Sequence, residues 1–126
     1  MKIAIVLDKD RLLKFRLSEI FEKLNWKADF YYGSSDFGLV DISNYDVIIA
    51  DTSLKPVDGR QILHSIQNKT QAELFLIGTE QFSEIDINNE NIKGLLNKDN
   101  VEDIVDKLKY VLMKKRMEST LKASAS

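Results

Sequence analysis

Two short apolar runs, each ending at an aspartate, constrain most strongly how this chain can fold. The first run covers Lys2–Leu7 and is followed by Asp8, and the second covers Tyr45–Ala50 and is followed by Asp51. Dense, partly β-branched runs of this length are typical of parallel strands that are covered on both faces. The sequence therefore predicts two buried strands, each with a carboxylate at its carboxyl end.

The remaining pattern predicts helices and strands in alternation. The further predicted elements are an amphipathic helix at 10–25, a half-exposed edge strand at 26–32, a short helix to Asp41 capped by Ser34 or Ser35, a helix capped by Asp58, a strand at 74–77, a short or irregular helix within 80–91, a brief strand at Leu95 and Leu96, and a helix from Val101. This alternation in one short domain implies parallel pairing and right-handed crossovers, and hence an α/β fold, a three-layer α/β/α sandwich.

Length and composition narrow the class of protein. The chain has 126 residues, enough for one domain, and we expect that domain at 1–118 with a disordered tail or the start of a linker at 119–126. A net charge of −2 argues against broad nucleic-acid binding, and the first apolar run is too short for a signal peptide or a membrane span. The chain has no cysteine, so disulfides and thiolate chemistry are excluded and a cytoplasmic location is the default expectation.

Polar residues at the strand ends define the candidate site, because ligands in such sheets bind beyond the carboxyl ends of the strands. Asp8 and Asp51 would face each other if the first and third strands are neighbours, and two close carboxylates either share a proton or bind a hard cation such as Mg²⁺. Lys98 could supply positive charge to a phosphate oxygen, and Thr79 a hydroxyl donor. Together these groups describe a site for phosphoryl transfer to a carboxylate.

The chain resembles the receiver domains of two-component response regulators, which have the flavodoxin-like fold of the chemotaxis regulator. The matching stretches are Lys2–Asp8 (KIAIVLD), Tyr45–Gly59 (YDVIIADTSLKPVDG) and Gly94–Lys98 (GLLNK). The resemblance spans nearly the whole chain. It implies a five-stranded parallel sheet of order 2-1-3-4-5 and a signalling protein that is not an enzyme.

The resemblance also implies roles for individual residues. Asp51 would be the phosphoacceptor, Asp8 a direct Mg²⁺ ligand and Ser53 a ligand through its backbone carbonyl. Lys98 would be the phosphate partner and Thr79 the hydroxyl that follows the phosphoryl group. The implied partners are a histidine kinase or small phosphodonor and a downstream protein or effector domain. No contact with nucleic acid or membrane is expected from this domain. Homodimers are common in the family.

The sequence departs from the family pattern near the site. Leu7 occupies the place of the first of two adjacent acids, and Asp10 is the candidate metal ligand that could compensate for it. Asp99 follows Lys98 where the family usually has proline and a cis peptide bond. Glu80 stands where the family normally has a small residue. Leu95 replaces the aromatic residue whose inward movement usually accompanies phosphorylation.

These departures leave other hypotheses open. One is a pseudo-receiver, in which the fold persists as a phosphorylation-independent protein-interaction module. Another is a haloacid-dehalogenase-type phosphatase, from the D-x-D spacing of Asp8 and Asp10, although the residues that should follow are absent. Asp8 could instead cap the first helix, and Asp51 the turn after its strand. Lys114, Lys115 and Arg116 are interpreted as cations favoured by a helix C-terminus rather than as a contact patch.

Overall fold

The structure is a computed structural model that describes residues 1–38, 40–79 and 92–125, and the side chains as far as 121. The elements are β1 (Lys2–Leu7), α1 (Arg11–Lys23), β2 (Lys27–Tyr32), α2 (Gly33–Phe37), a 3₁₀ turn (Ile42–Asn44), β3 (Val47–Asp51), α3 (Gly59–Ile66), β4 (Glu73–Gly78), β5 (Ile92–Asn97) and α4 (Val101–Ala125). The helix predicted within 80–91 lies outside the described residues.

The five strands form one parallel sheet of order β2-β1-β3-β4-β5. This confirms the predicted sheet order and the half-exposed edge strand. Alternate residues of the central strands point to opposite faces, as the period of two requires. In β1, Ile3 and Ile5 pack with α1 and α4, whereas Ala4 and Val6 pack with α2 and α3. The helices therefore cover both faces, and the three-layer sandwich is confirmed.

The start of α2 differs from the prediction. This helix begins directly after β2 at Gly33 and ends at Phe37, and no side chain caps it. Gly33 has φ of +86°, a conformation that glycine adopts without a Cβ penalty. The chain therefore turns from strand to helix at Gly33 itself, so Ser34 and Ser35 lie inside the helix and are not its caps.

The last helix is longer than expected. It runs to Ala125 and so crosses the segment 119–126 that the sequence predicted as a tail or linker. The segment carries no glycine or proline to end a helix, and the Thr120 hydroxyl donates to the Arg116 carbonyl at 2.9 Å. The domain boundary at 118 and the tail or linker at 119–126 stay predictions. No helix among the described residues is long and apolar enough to cross a membrane.

A hydrogen-bonded tyrosine pair ties β2 to the segment that enters β3. The Tyr45 hydroxyl donates to Asp29 Oδ2 at 2.7 Å and lies 2.7 Å from the Tyr31 hydroxyl. Tyr45 is buried, and burial together with the bonds to Tyr31 and Asp29 raises the pKa of Tyr45 above its usual value of 10.0. Folding therefore favours the neutral phenol, because ionisation would place a charge in a desolvated position beside a carboxylate.

The raised pKa of Tyr45 predicts a loss of stability at high pH. The unfolded chain releases the Tyr45 proton above about pH 10 whereas the folded chain keeps it, so stability is full below that pH and falls by about 1.4 kcal/mol per unit above it. Urea unfolding of wild type and Tyr45→Phe between pH 8 and about 11 measures the effect. The free energies of the two proteins should converge as pH rises, and parallel curves would contradict the prediction.

Candidate functional site

The candidate site lies at the carboxyl edge of the sheet, around the last residue of β3. Asp51 pairs with Ile77 of β4, and continuing the β1–β3 register by one residue past Val6 and Ala50 places Leu7 beside it. Asp51 is fully buried, and it is the only buried polar or charged residue among those that the structure describes. A carboxylate that is removed from water needs charge and hydrogen-bond partners.

The two carboxylate oxygens of Asp51 have different partners. Oδ1 accepts hydrogen bonds from the Ser53 backbone N–H at 2.9 Å and from the Ser53 hydroxyl at 2.7 Å. Oδ2 lies 2.5 Å from Lys98 Nζ, but among the described residues it has no well-aligned hydrogen-bond donor. The contact between Lys98 Nζ and Asp51 Oδ2 is an ion pair, because opposite charges at this distance attract each other. A hydrogen bond would also require an aligned donor. Oδ2 is thus compensated in charge but left with unused lone pairs.

Lys98 reaches Asp51 because β5 pairs alongside β4 up to its end. Asn97 pairs with Gly78, and the Lys98 N–H donates to the Gly78 carbonyl at 3.1 Å. Asn97 Oδ1 accepts from the Asp99 N–H at 2.9 Å and so stabilises the turn without a proline. Among the described residues the single cis peptide bond is Lys55–Pro56, so the Lys98–Asp99 bond is trans. The side chain of Lys98 is 16% exposed and still pairs with Asp51 in this loop.

Asp8 and Asp10 follow β1 but have different surroundings. Asp8 is exposed directly after the strand, and Lys9 beside it has φ of 42°. Asp10 is the N-cap of α1, since its Oδ1 accepts from the Leu13 N–H at 3.0 Å. The hypothesis that Asp8 caps this helix is therefore wrong: the cap lies two residues later, where the side chain can reach the N–H of the third helical residue. One oxygen of Asp10 is engaged in this cap.

Thr79 lies directly after β4 and is exposed. It follows Gly78, whose carbonyl accepts a hydrogen bond from the Lys98 backbone N–H. Thr79 is therefore at the same sheet edge as Asp51 and Lys98. The Thr52 N–H donates to the Ile77 carbonyl at 3.0 Å. A Cβ at Gly78 would lie 2.5 Å from Thr52 Oγ1, so this glycine leaves space for the threonine.

Gly59, the first residue of α3, packs directly under the backbone of Asp51. A Cβ at this position would lie 2.5 Å from the Asp51 carbonyl oxygen and 2.8 Å from its carbonyl carbon. Asp58 precedes it and forms a capping box with Gln61, with both bonds at 3.0 Å. The start of α3 thus fixes the position of the Asp51 backbone.

The bonds from Ser53 to Asp51 Oδ1 agree with the hypothesis that Asp51 caps the turn after its strand, although the sequence assigned Ser53 itself only a role through its carbonyl. The spacing contains the signal, because an aspartate often accepts from the N–H and side chain two residues later. The structure confirms the predicted burial of Leu7, the last residue of the first apolar run. Its side chain is 0% exposed and belongs to the core beside Ile5 and Ile77, so the position next to Asp51 is a packing position here.

The oxygen atoms at this edge of the sheet supply some of the ligands that a hard cation needs. Asp51 offers a buried oxygen without an aligned donor, and Asp8 an exposed carboxylate at the end of the neighbouring strand. Two carboxylates and the Ser53 carbonyl are ligands of the type that Mg²⁺ prefers, with waters completing its shell. No three or more acidic or histidine side chains cluster as a metal site in the described ranges. Any ion here would therefore keep several waters.

Comparison with solved structures identifies the fold. A two-component response regulator from Clostridium difficile superposes with a TM-score of 0.79 at 23% identity, covering 91% of this chain and 98% of that one. The receiver domain of a Francisella response regulator gives 0.76 at 16% identity, covering 90% and 98%. The chain therefore has the fold of response regulator receiver domains.

A third similar structure is a complex with Mg²⁺ and BeF. The response regulator TrrA from Thermotoga maritima, in complex with Mg²⁺ and BeF, superposes with a TM-score of 0.74 at 19% identity, covering 88% of this chain and 99% of that one. No protein-family model matches the sequence. No curated protein matches it either.

Proposed function

We propose that this chain is a signal-receiver domain that accepts a phosphoryl group on Asp51 and relays it as a change in protein binding. The observation that carries the proposal is the pairing of a fully buried strand-end carboxylate with Lys98 at the carboxyl edge of a receiver-type sheet. Lys98 compensates the buried carboxylate at rest. The same cation suits a phosphoacceptor, because negative charge accumulates on the transferred group.

The proposed reaction is a displacement at phosphorus. An Asp51 oxygen forms the new P–O bond while the bond from phosphorus to the donor breaks, and its electron pair leaves with the donor. Oδ2 is the better nucleophile because Oδ1 is held by two bonds from Ser53. The Lys98 ammonium stands beside the acceptor and can neutralise charge on the phosphoryl oxygens, and the Thr79 hydroxyl could donate to one of them.

Mg²⁺ is the proposed cofactor, since the donor set suits it. Asp8, Asp51 and the Ser53 carbonyl would hold the ion, and Asp10 could contribute through the carboxylate oxygen that does not cap α1. When bound, Mg²⁺ supplies positive charge that offsets repulsion between the carboxylates and the incoming phosphate. The proposed donors are a histidine kinase or a small acyl phosphate, and the proposed recipient of the signal is a downstream protein or effector domain.

Acetyl phosphate tests the proposal directly. The full chain with acetyl phosphate and Mg²⁺ should gain one phosphate in intact mass, and Asp51→Asn should gain none because an amide is not a nucleophile here. Asp41→Asn is the matched control, since it changes an exposed carboxylate that caps the 3₁₀ turn before β3, and it should gain phosphate like wild type. Chelation of Mg²⁺ and Asp8→Asn should each slow uptake. Uptake by Asp51→Asn would refute the assignment.

A specific observation favours a second candidate, the pseudo-receiver. Leu7 is packed in the core beside Asp51, so this position supplies no carboxylate oxygen to a cation. In that case the fold persists as a phosphorylation-independent interaction module. The absence of any mass gain in wild type, together with no Mg²⁺-dependent change in intrinsic tryptophan fluorescence or NMR spectrum, would support this candidate over the first.

A further inference from the structure

A basic pocket opens beyond the carboxyl ends of β1 and β2. It has a volume of about 530 Å³, and the described residues that line it are Lys9, Arg11, Lys14 and Tyr32. Tyr32 ends β2 and pairs with Leu7, the last residue of β1. Ligands of parallel α/β sheets bind beyond these strand ends. Three cations therefore line one pocket at the edge of the sheet where this fold binds ligands.

The basic pocket is separate from the candidate site at Asp51. Asp51 ends β3, and β1 lies between β3 and β2 in the sheet order. Neighbouring strands are about 4.8 Å apart, so β2 is about 10 Å from β3. Ser53 and Lys98, the partners of Asp51, do not line the pocket. A ligand in the pocket would therefore use other side chains than a phosphoryl group on Asp51.

Carboxylates do not neutralise the basic pocket within the described part of the chain. Its three cations form no ion pair with a described residue. Asp8 and Asp10 flank Lys9 in the sequence, but neither lines the pocket, and Asp10 Oδ1 accepts the hydrogen bond that caps α1. Asp36 accepts from the Tyr32 backbone N–H at 3.3 Å and does not line the pocket either. The side chains that line it thus carry three positive charges and no negative one.

Helix stability does not explain the cations that α1 contributes. Arg11 is the first residue of this 13-residue helix, and Lys14 follows one turn later. The first turn contains no acidic residue. The helix dipole favours acids at this end and cations at the other end, where Lys23 lies. Positive charge at the start of α1 is therefore unfavourable for the helix unless an anion accompanies it.

Aromatic rings position one of the three cations. Lys14 Nζ lies 5.5 Å from the centroid of the Tyr32 ring and 5.7 Å from that of the Phe30 ring. A cation within about 6 Å of an aromatic ring is attracted to its face. Lys14 is only partly exposed, so its charge is held at the pocket before a ligand arrives. A charge that is already positioned loses less conformational entropy on binding.

We propose that the basic pocket binds a small molecule that carries a diphosphate or triphosphate group. The three positive charges suit an anion of several charges better than a single carboxylate or orthophosphate. The planar guanidinium of Arg11 can donate two parallel hydrogen bonds to one phosphate, and Lys9 and Lys14 act as point charges. The pocket volume lies within the range of small-molecule sites. The proposal does not depend on phosphorylation of Asp51.

Calorimetric titration with inorganic pyrophosphate tests the pocket. The full chain is titrated without Mg²⁺, since pyrophosphate chelates this ion. We expect one saturable site that binds pyrophosphate at least about tenfold more tightly than orthophosphate and more tightly than citrate, a tricarboxylate. Affinity should fall as salt rises. In NMR spectra, the amide shifts that saturate with pyrophosphate should centre on residues 9–14 and Tyr32.

Variants locate the binding. Arg11→Gln/Lys14→Gln should weaken pyrophosphate binding about tenfold or more. Lys23→Gln/Lys27→Gln is the matched control, because it removes two exposed cations at the other end of α1 and the start of β2, and its affinity should be unchanged. Glutamine has nearly the helix propensity of arginine and lysine, so circular dichroism should show the same helix content in all proteins.

Several outcomes would overturn the proposal. Equal affinities for pyrophosphate and orthophosphate would contradict it, as would an equal loss of affinity in the two double variants. NMR shifts that centre on Lys98 would place the anion at the Asp51 site, and tighter binding of citrate would assign the pocket to carboxylates. The test is independent of the phosphorylation test, because it uses neither Mg²⁺ nor a phosphodonor and substitutes no residue assigned to the Asp51 site.

Discussion

Lys98→Met should lower the free energy of unfolding by about 3 kcal/mol or more, because it leaves the buried charge of Asp51 without its partner. Asp51 is 0% exposed, and Lys98 Nζ is the cation that contacts it. Methionine keeps most of the length and volume of the lysine stem, so loss of charge rather than loss of packing dominates. Urea unfolding of wild type and variant at neutral pH measures the difference.

A double-mutant cycle separates the charge effect from packing. Asp51→Asn/Lys98→Met removes both charges and should be more stable than Lys98→Met alone, because no unpaired charge remains buried. Lys107→Met is the matched control, since its pair with Asp103 joins two side chains that are 45% and 38% exposed, and it should cost less than about 1 kcal/mol. Equal costs for Lys98→Met and Lys107→Met would contradict the prediction.

Gly59→Ala is expected to destabilise the fold by about 3 kcal/mol. The added Cβ would lie 2.5 Å from the Asp51 carbonyl oxygen and 2.9 Å from that of Ala50, and backbone atoms of a central strand cannot move away as a flexible side chain can. The clash must shift α3 against β3, which is the cost of overpacking a tight core. Thermal or urea unfolding of the variant measures the loss.

The same variant should also impair the site, because Gly59 contacts the backbone of the proposed acceptor. Uptake of phosphate from acetyl phosphate should slow even under conditions where Gly59→Ala is folded. Gly94→Ala is the matched control, since its added Cβ would lie 3.8 Å from the Phe75 ring, an ordinary contact. That substitution should change stability by less than about 0.5 kcal/mol. A Gly59→Ala protein as stable as Gly94→Ala would contradict the geometry.

The elements that the sequence predicted best are those in which local pattern and tertiary environment agree. The apolar runs of β1 and β3 can be satisfied only by burial on both faces, so their type and their acidic ends were readable from the chain. The six-residue strand β5 was predicted as only two residues, since Lys93 and Gly94 interrupt its apolar pattern. Pairing with β4 supplies the hydrogen bonds that extend it.

Other features depended on contacts between residues distant in the chain. The sequence placed Asp51 and Lys98 at strand ends, but whether Lys98 reaches the carboxylate without a proline after it depends on the pairing of Asn97 with Gly78. Asp8 and Asp10 have equal capping propensity, and the start of α1 selects Asp10. Tyr110, Met113, Met117 and Leu121 form a second apolar row on α4, and only packing of the helix on the sheet shows that this row stays exposed.

The sequence by itself determined the α/β alternation, the parallel sheet and the residues that end its strands, because the spacing of apolar residues is a local property that burial must satisfy. Only the tertiary structure decided that Leu7 lies beside Asp51, that Gly59 lies under the Asp51 backbone and that Tyr110, Met113, Met117 and Leu121 of α4 stay exposed. Each of these depends on which surfaces meet when distant segments pack, and the spacing of residues along one segment does not specify it.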